Sequence, residues 1–152
     1  MEESKEYYKV EVTIEFTKEC LASNLVEHTF EFERDDLGNM LLPTMYWRCM
    51  LKKALEIFIP DKVYLLNKIC PDTLRHSPSR IDVITEANQV YQALPVGAQL
   101  TIHIIVPAAI PPDTFRHLFE QAGQWVGFSP AKAHLGYGRF RVVGYEELTL
   151  KL

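Results

Sequence analysis

The chain has 152 residues, 47% hydrophobic and 24% charged, with a net charge of −4. A chain of ~150 residues predicts one domain and buries roughly 68–70% of its unfolded surface, enough for a full core. Its aromatic and β-branched content excludes disorder as the main state, and no apolar stretch reaches the ~20 residues of a spanning helix.

The start, residues 1–9, reads as neither a signal nor a transit peptide. From there Tyr8, Val10, Val12, Ile14 and Phe16 alternate with Lys9, Glu11, Thr13 and Glu15, which predicts a strand with one buried face. Phe30 and Phe32, set between Thr29, Glu31 and Glu33, predict a partner strand, and residues 35–39 a turn. A helix is predicted after Pro43 with Thr44 as N-cap. Trp47, Met50, Leu51, Ala54, Leu55 and Phe58 keep helical spacing along it, and Pro60 stops it.

The apolar run Val63–Leu66 predicts a short central strand, residues 70–80 a loop, and Ile81–Ile84 a minor strand. After a turn at Pro95-Val96-Gly97, Leu100, Ile102, Ile104 and Val106 mark a long strand. Pro111-Pro112-Asp113 opens a second helix with core positions Phe115, Leu118, Phe119 and Ala122, and Phe140–Val143 is the last strand. Trp47 and Trp125 are expected to serve as packing residues rather than as platforms for bases. This order predicts one α+β domain over residues 1–152, a βαββαβ unit with two helices on one face of a mainly antiparallel sheet. Cys20, Cys49 and Cys70 share no metal-ligand spacing, so reduced thiols and a cytoplasmic location without membrane attachment are expected.

The net charge hides an asymmetry. Residues 1–40 hold eleven acids and four bases, whereas residues 41–152 hold nine acids and twelve bases. No acid occurs between Gln121 and Tyr145, where Lys132, His134, Arg139 and Arg141 fall. A cation-only stretch in an acidic chain is compatible with a local anion site.

Five of the seven glycines lie in the same stretch: Gly123, Gly127, Gly136, Gly138 and Gly144. Glycine allows positive φ and close backbone approach, so this cluster marks either tight turns, with Gly123 or Gly127 capping the helix, or a loop that meets a ligand. The bases are interleaved with Trp125, Phe128, Tyr137 and Phe140, a combination suited to phosphates and stacked bases of a single strand. The nucleotide-binding patterns Gly-x-x-x-x-Gly-Lys-Ser/Thr and Gly-x-Gly-x-x-Gly do not occur here.

Gly127, then Gly136-Tyr137-Gly138-Arg139-Phe140, resembles the glycine-rich loop of the RAMP superfamily, the repeat-associated, RNA-binding, ferredoxin-like proteins of CRISPR systems. Ala122-Gly123-x-x-Val126-Gly127-Phe128-Ser129, followed by the same Gly136–Phe140 run, is similar to a widespread group of small phage-encoded proteins. That similarity extends through Asp35, Asp36, Gly38, Leu42 and Pro43 before the first helix and Lys52-Lys53-Ala54 within it. It also takes in Leu94, Pro95 and Gly97 before the long strand. The resemblance implies a ferredoxin-like fold and binding of RNA or single-stranded DNA, in a host cell's cytoplasm if phage-encoded. RAMP processing endonucleases carry a general-base His near their first helix. Residues 44–58 contain none and His28 lies upstream, so binding without catalysis is expected.

The expected nucleic-acid contacts are Lys132, His134, Tyr137, Arg139 and Arg141, with Arg48 and Lys52 on the first helix. Gly123, Gly127, Gly136 and Gly138 would set the loop geometry. His134 is the candidate for proton transfer, because its charge changes near neutral pH. With His76 it carries a competing reading, a metal-independent endoribonuclease. A third reading is a counter-defence protein that binds a host protein through this surface. Assembly into a homo-oligomer along the strand belongs to the leading reading. No cofactor is expected, and no metal, since no two His stand at i, i+4 with a Glu.

Overall fold

The computed structural model describes residues 6–22, 31–34, 36–37, 40–42, 44–71, 74–76, 81–86, 88–128 and 135–148. Its strands begin with β1 (Tyr7–Phe16), β2 (Cys20–Leu21), β3 (Glu33–Arg34), β4 (Met40–Leu42) and β5 (Cys70–Pro71). They continue with β6 (Leu74–His76), β7 (Asp82–Glu86), β8 (Gln89–Leu94), β9 (Gln99–Pro107) and β10 (Phe140–Leu148). The helices are α1 (Thr44–Phe58) and α2 (Pro112–Trp125), with a 3-10 helix at Pro60–Lys68.

The strand order β10-β1-β9-β5 builds a four-stranded sheet in which each pairing is antiparallel. β1-α1-β5 and β9-α2-β10 are the two halves, and their interleaving in the sheet makes the fold ferredoxin-like α+β. Alternation drives the two central strands. Val10, Val12, Ile14 and Phe16 on β1 and Leu100, Ile102, Ile104 and Val106 on β9 all face one side and are buried. Against them α1 packs Trp47, Met50, Leu51, Ala54 and Leu55, and α2 packs Phe115, Leu118, Phe119 and Ala122. Each large side chain so buried stabilises the fold by ~1.5–3 kcal/mol before its ordering cost. Two smaller sheets, β2-β8-β7 and β3-β4-β6, are attached to this frame.

Several expectations change. Val63–Leu66 is 3-10 helical, because Pro60 presets the first turn and the Ile69 N–H closes the last one on the Leu66 carbonyl, with Leu65 as the buried residue. Tyr64, which a strand would pair with Leu66 on one face, is 70% exposed. The strand that follows α1 in the sheet is β5, only two residues long and at an edge. Residues 70–80 therefore contain β5 and β6 rather than a loop alone. The strand β8 carries no expectation from the sequence. It pairs with β7 through a turn in which Asn88 has φ +68° in place of a glycine. The partner strand expected at 29–33 is represented by β3, which pairs with β4 and not with β1, while residues 29–30 lie outside the described residues. Thr44 is the first residue of α1.

Candidate nucleic-acid interface

The segment leaving α2 turns sharply. The backbone N–H groups of Val126 and Gly127 both donate to the Ala122 carbonyl, and Gly127 has φ +86°, so Gly127 ends the helix in the left-handed conformation. Phe128 N–H then donates to the Gly138 carbonyl at 2.8 Å, closing a neck around residues 128–138. At this neck a Cβ on Gly127 would lie 2.9 Å from the Tyr137 carbonyl oxygen and 3.3 Å from the Arg139 nitrogen. Backbones can meet so closely only without side chains between them. Gly136 and Gly138 also take positive φ, +94° and +80°.

The neck is tied to the chain just after β1. Thr17 and Lys18 N–H groups donate to the Arg139 carbonyl, Gly138 N–H donates to the Glu19 carbonyl, and the Cys20 thiol donates to the Phe128 carbonyl. Lys18 is thereby brought to the glycine segment, its ammonium 4.6 Å from the centre of the Tyr137 ring. Sequence reasoning missed Lys18, since the residues bonded here are more than 100 positions apart.

The aromatic residues of the segment have different fates. Phe128 is buried and stacks on Trp47 at 4.0 Å, and Phe140 is buried against Phe119. Tyr137 is buried with Leu21, Tyr91 and Ala93, and its hydroxyl donates to Glu86 at 2.7 Å. That bond, then burial, holds its phenol above the ordinary tyrosine range. Tyr137 thus serves as a packing residue and leaves no open face for a base. Trp125, expected to be a packing residue, is instead 56% exposed.

Among the described residues the expected cations do not form one cluster. Arg139 lies at the neck, half-buried beside Gly136, with Nε buried and unbonded among the described residues. Lys132 and His134 lie outside the described residues. Arg141 sits on the open sheet face, where it donates to Glu15 at 3.1 Å. Arg48 donates to Asn67 of the 3-10 helix, and Lys52 is exposed, both in the helical layer on the other side of the sheet. His76 lies in β6 at register with Met40.

The open sheet face is polar and carries both signs of charge, with Lys9 beside the glutamates. Glu11 stands between His103 and Glu146, Thr13 between Thr101 and Gly144, and Glu15 between Gln99 and Arg141. His103 contacts Glu11 at 2.9 Å, and the two threonine hydroxyls are 2.8 Å apart. Hydrogen bonds from Gln99 and Arg141 hold the Glu15 carboxyl below the ordinary range. Because the folded value is depressed, this pairing contributes above the unfolded pKa and is lost as pH falls through the folded one. Gln99→Ala and Arg141→Ala should each raise the Glu15 titration midpoint, as read from carboxyl carbon shifts in an NMR titration. An unchanged midpoint in either variant would remove that partner as a cause.

Among the described residues no cluster of three or more His, Cys, Asp or Glu is placed to hold a metal ion, and no helix is long and apolar enough to cross a membrane. Cys20 is a buried thiol, and Cys49 and Cys70 are exposed thiols.

No family model and no curated protein matches this sequence. Among solved structures, the chain is similar to one in the cryo-EM structure of the type III-B Cmr-beta bound to cognate target RNA. The TM-score is 0.70 at 14% identity, over 96% of this chain and 62% of the neighbour, so this chain spans under two thirds of its length. At that identity the likeness is one of fold, and it agrees with the α+β, ferredoxin-like architecture expected from the sequence.

Proposed function

We propose that this chain is a RAMP-like RNA-binding protein that holds single-stranded RNA at its glycine-rich segment and performs no chemistry on it. The observation that carries the reading is the neck at Gly127 and Gly138. It closes a segment whose ionisable residues, Lys132, His134 and Arg139 next to it, include no acid, and it gathers Lys18 from the other end of the chain. Phosphates are drawn to such cations. That the fold neighbour is a chain of an RNA-bound assembly supports RNA as the ligand and work beside other subunits.

Binding of a fluorescein-labelled 20-nucleotide RNA, followed by anisotropy across a salt series, tests this. Affinity should fall with salt, with a log–log slope of about −0.7 per phosphate contacted. The pair Lys132→Ala and Arg139→Ala should weaken binding about tenfold, ~1.4 kcal/mol, and flatten the slope. The RNA should be recovered intact after incubation with or without EDTA. Equal affinity for the matching DNA removes the preference for RNA, and no binding at low salt removes the proposal.

A further inference from the structure

We infer that Trp125 is the base-stacking residue of this site, receiving an unpaired base of the RNA on its exposed ring. The inference rests on the RNA-binding reading above. Of the aromatic residues interleaved with the cations, Phe128, Tyr137 and Phe140 are buried, and Trp125 alone is mostly open, at 56%. It is the last residue of α2, two positions before Gly127, whose backbone meets those of Tyr137 and Arg139. Its indole N–H donates to Gln121 one turn back at 3.1 Å, which orients the ring before any ligand arrives.

A base on the indole would leave its backbone phosphates to Arg139 and Lys18, the described cations of the neck. An indole accepts any base face, so this contact adds affinity without strong sequence preference.

The chain has two tryptophans, and Trp47 is fully buried against Phe128 and Phe119, so accessible emission reports on Trp125. Adding unlabelled oligouridine to the full chain should quench the acrylamide-accessible emission, and Trp125→Phe should abolish that response. In anisotropy, Trp125→Ala should bind labelled oligouridine at least about fivefold more weakly. Trp125→Phe should stay within about threefold, and the salt slope should be unchanged in both because no charge is removed. Undiminished affinity in Trp125→Ala with unquenched emission, while the wild-type chain binds RNA, overturns the stacking role and leaves RNA binding standing. No binding by the wild-type chain overturns both.

Discussion

Gly123→Ala is expected to destabilise the protein by about 2–3 kcal/mol, the upper part of the range for overpacking. In an exposed helix the same change would stabilise by up to about 1 kcal/mol, since glycine gives up more backbone freedom than alanine. Here the added Cβ would lie 2.5 Å and 2.6 Å from two ring carbons of Phe140 and closer still to its carbonyl oxygen. That oxygen is backbone of β10, which is held across its length by β1, so no flexible tip can swing away. Either α2 lifts from the sheet or β10 shifts, and the neck at Gly127 hangs from both. Urea unfolding followed by Trp47 emission gives the measurement. Gly97→Ala is the comparison, because φ there is +91° but nothing among the described residues lies within 4 Å, leaving backbone strain of about 1–2 kcal/mol. A Gly123→Ala chain with an unchanged or higher midpoint would mean that α2 and β10 do not meet as described.

The parts of this fold that were legible are those where one physical signal spans many residues. β1 and β9 alternate over ten and nine residues with an unbroken buried face, and α1 and α2 repeat their apolar positions over four turns or nearly so. β5 left no such trace, since two residues cannot show a period, and its place is set by pairing with Ile104 and Ile105 of β9. Val63–Leu66 misleads for a related reason: four apolar residues fit a strand as well as a helix, and the neighbouring Pro60 and Ile69 decide it. β8 hides because its apolar residues fall on both faces, Tyr91 and Ala93 inward and Val90 outward.

The candidate site divides along the same line. Glycine spacing is local chemistry, so a turn at Gly123 or Gly127 and a return through Gly136 and Gly138 were legible before any fold was known, but Gly123 lies within α2 against Phe140 and shapes no loop. Which aromatic rings end up covered depends on distant residues. Tyr137 is covered by Leu21 and Tyr91, and Lys18 reaches its ring only because β1 ends beside β10. Trp125, seven residues after Leu118, belongs by spacing to the edge of the buried stripe of α2, yet the structure leaves it open. The charges were likewise legible as a list and not as a place, since Arg141 pairs with Glu15 on the sheet and Arg48 with Asn67 among the helices.

Trp47→Ala should have the largest effect of any single change considered, about 3–5 kcal/mol, as for other buried aromatic truncations. Its ring is fully buried and stacks at 4.0 Å on Phe128 and at 5.9 Å on Phe119, joining α1, α2 and the neck in one contact. Trp47→Phe should cost clearly less than its lost volume implies. The buried indole N–H of Trp47 has no hydrogen-bond partner among the described residues, and an unsatisfied buried donor costs about 1–3 kcal/mol. Phenylalanine removes that donor while keeping a ring against Phe128. Thermal unfolding by circular dichroism separates the two variants without relying on the tryptophan replaced. If both variants lose equal stability, the indole N–H carries no penalty and volume alone accounts for the site. The functional consequence follows from Phe128, whose N–H closes the neck on Gly138. With Trp47 gone, Phe128 loses its stacking partner, and RNA affinity should fall at temperatures where the Trp47→Ala chain is still folded. Undiminished affinity there would show that the neck holds its geometry without support from the core.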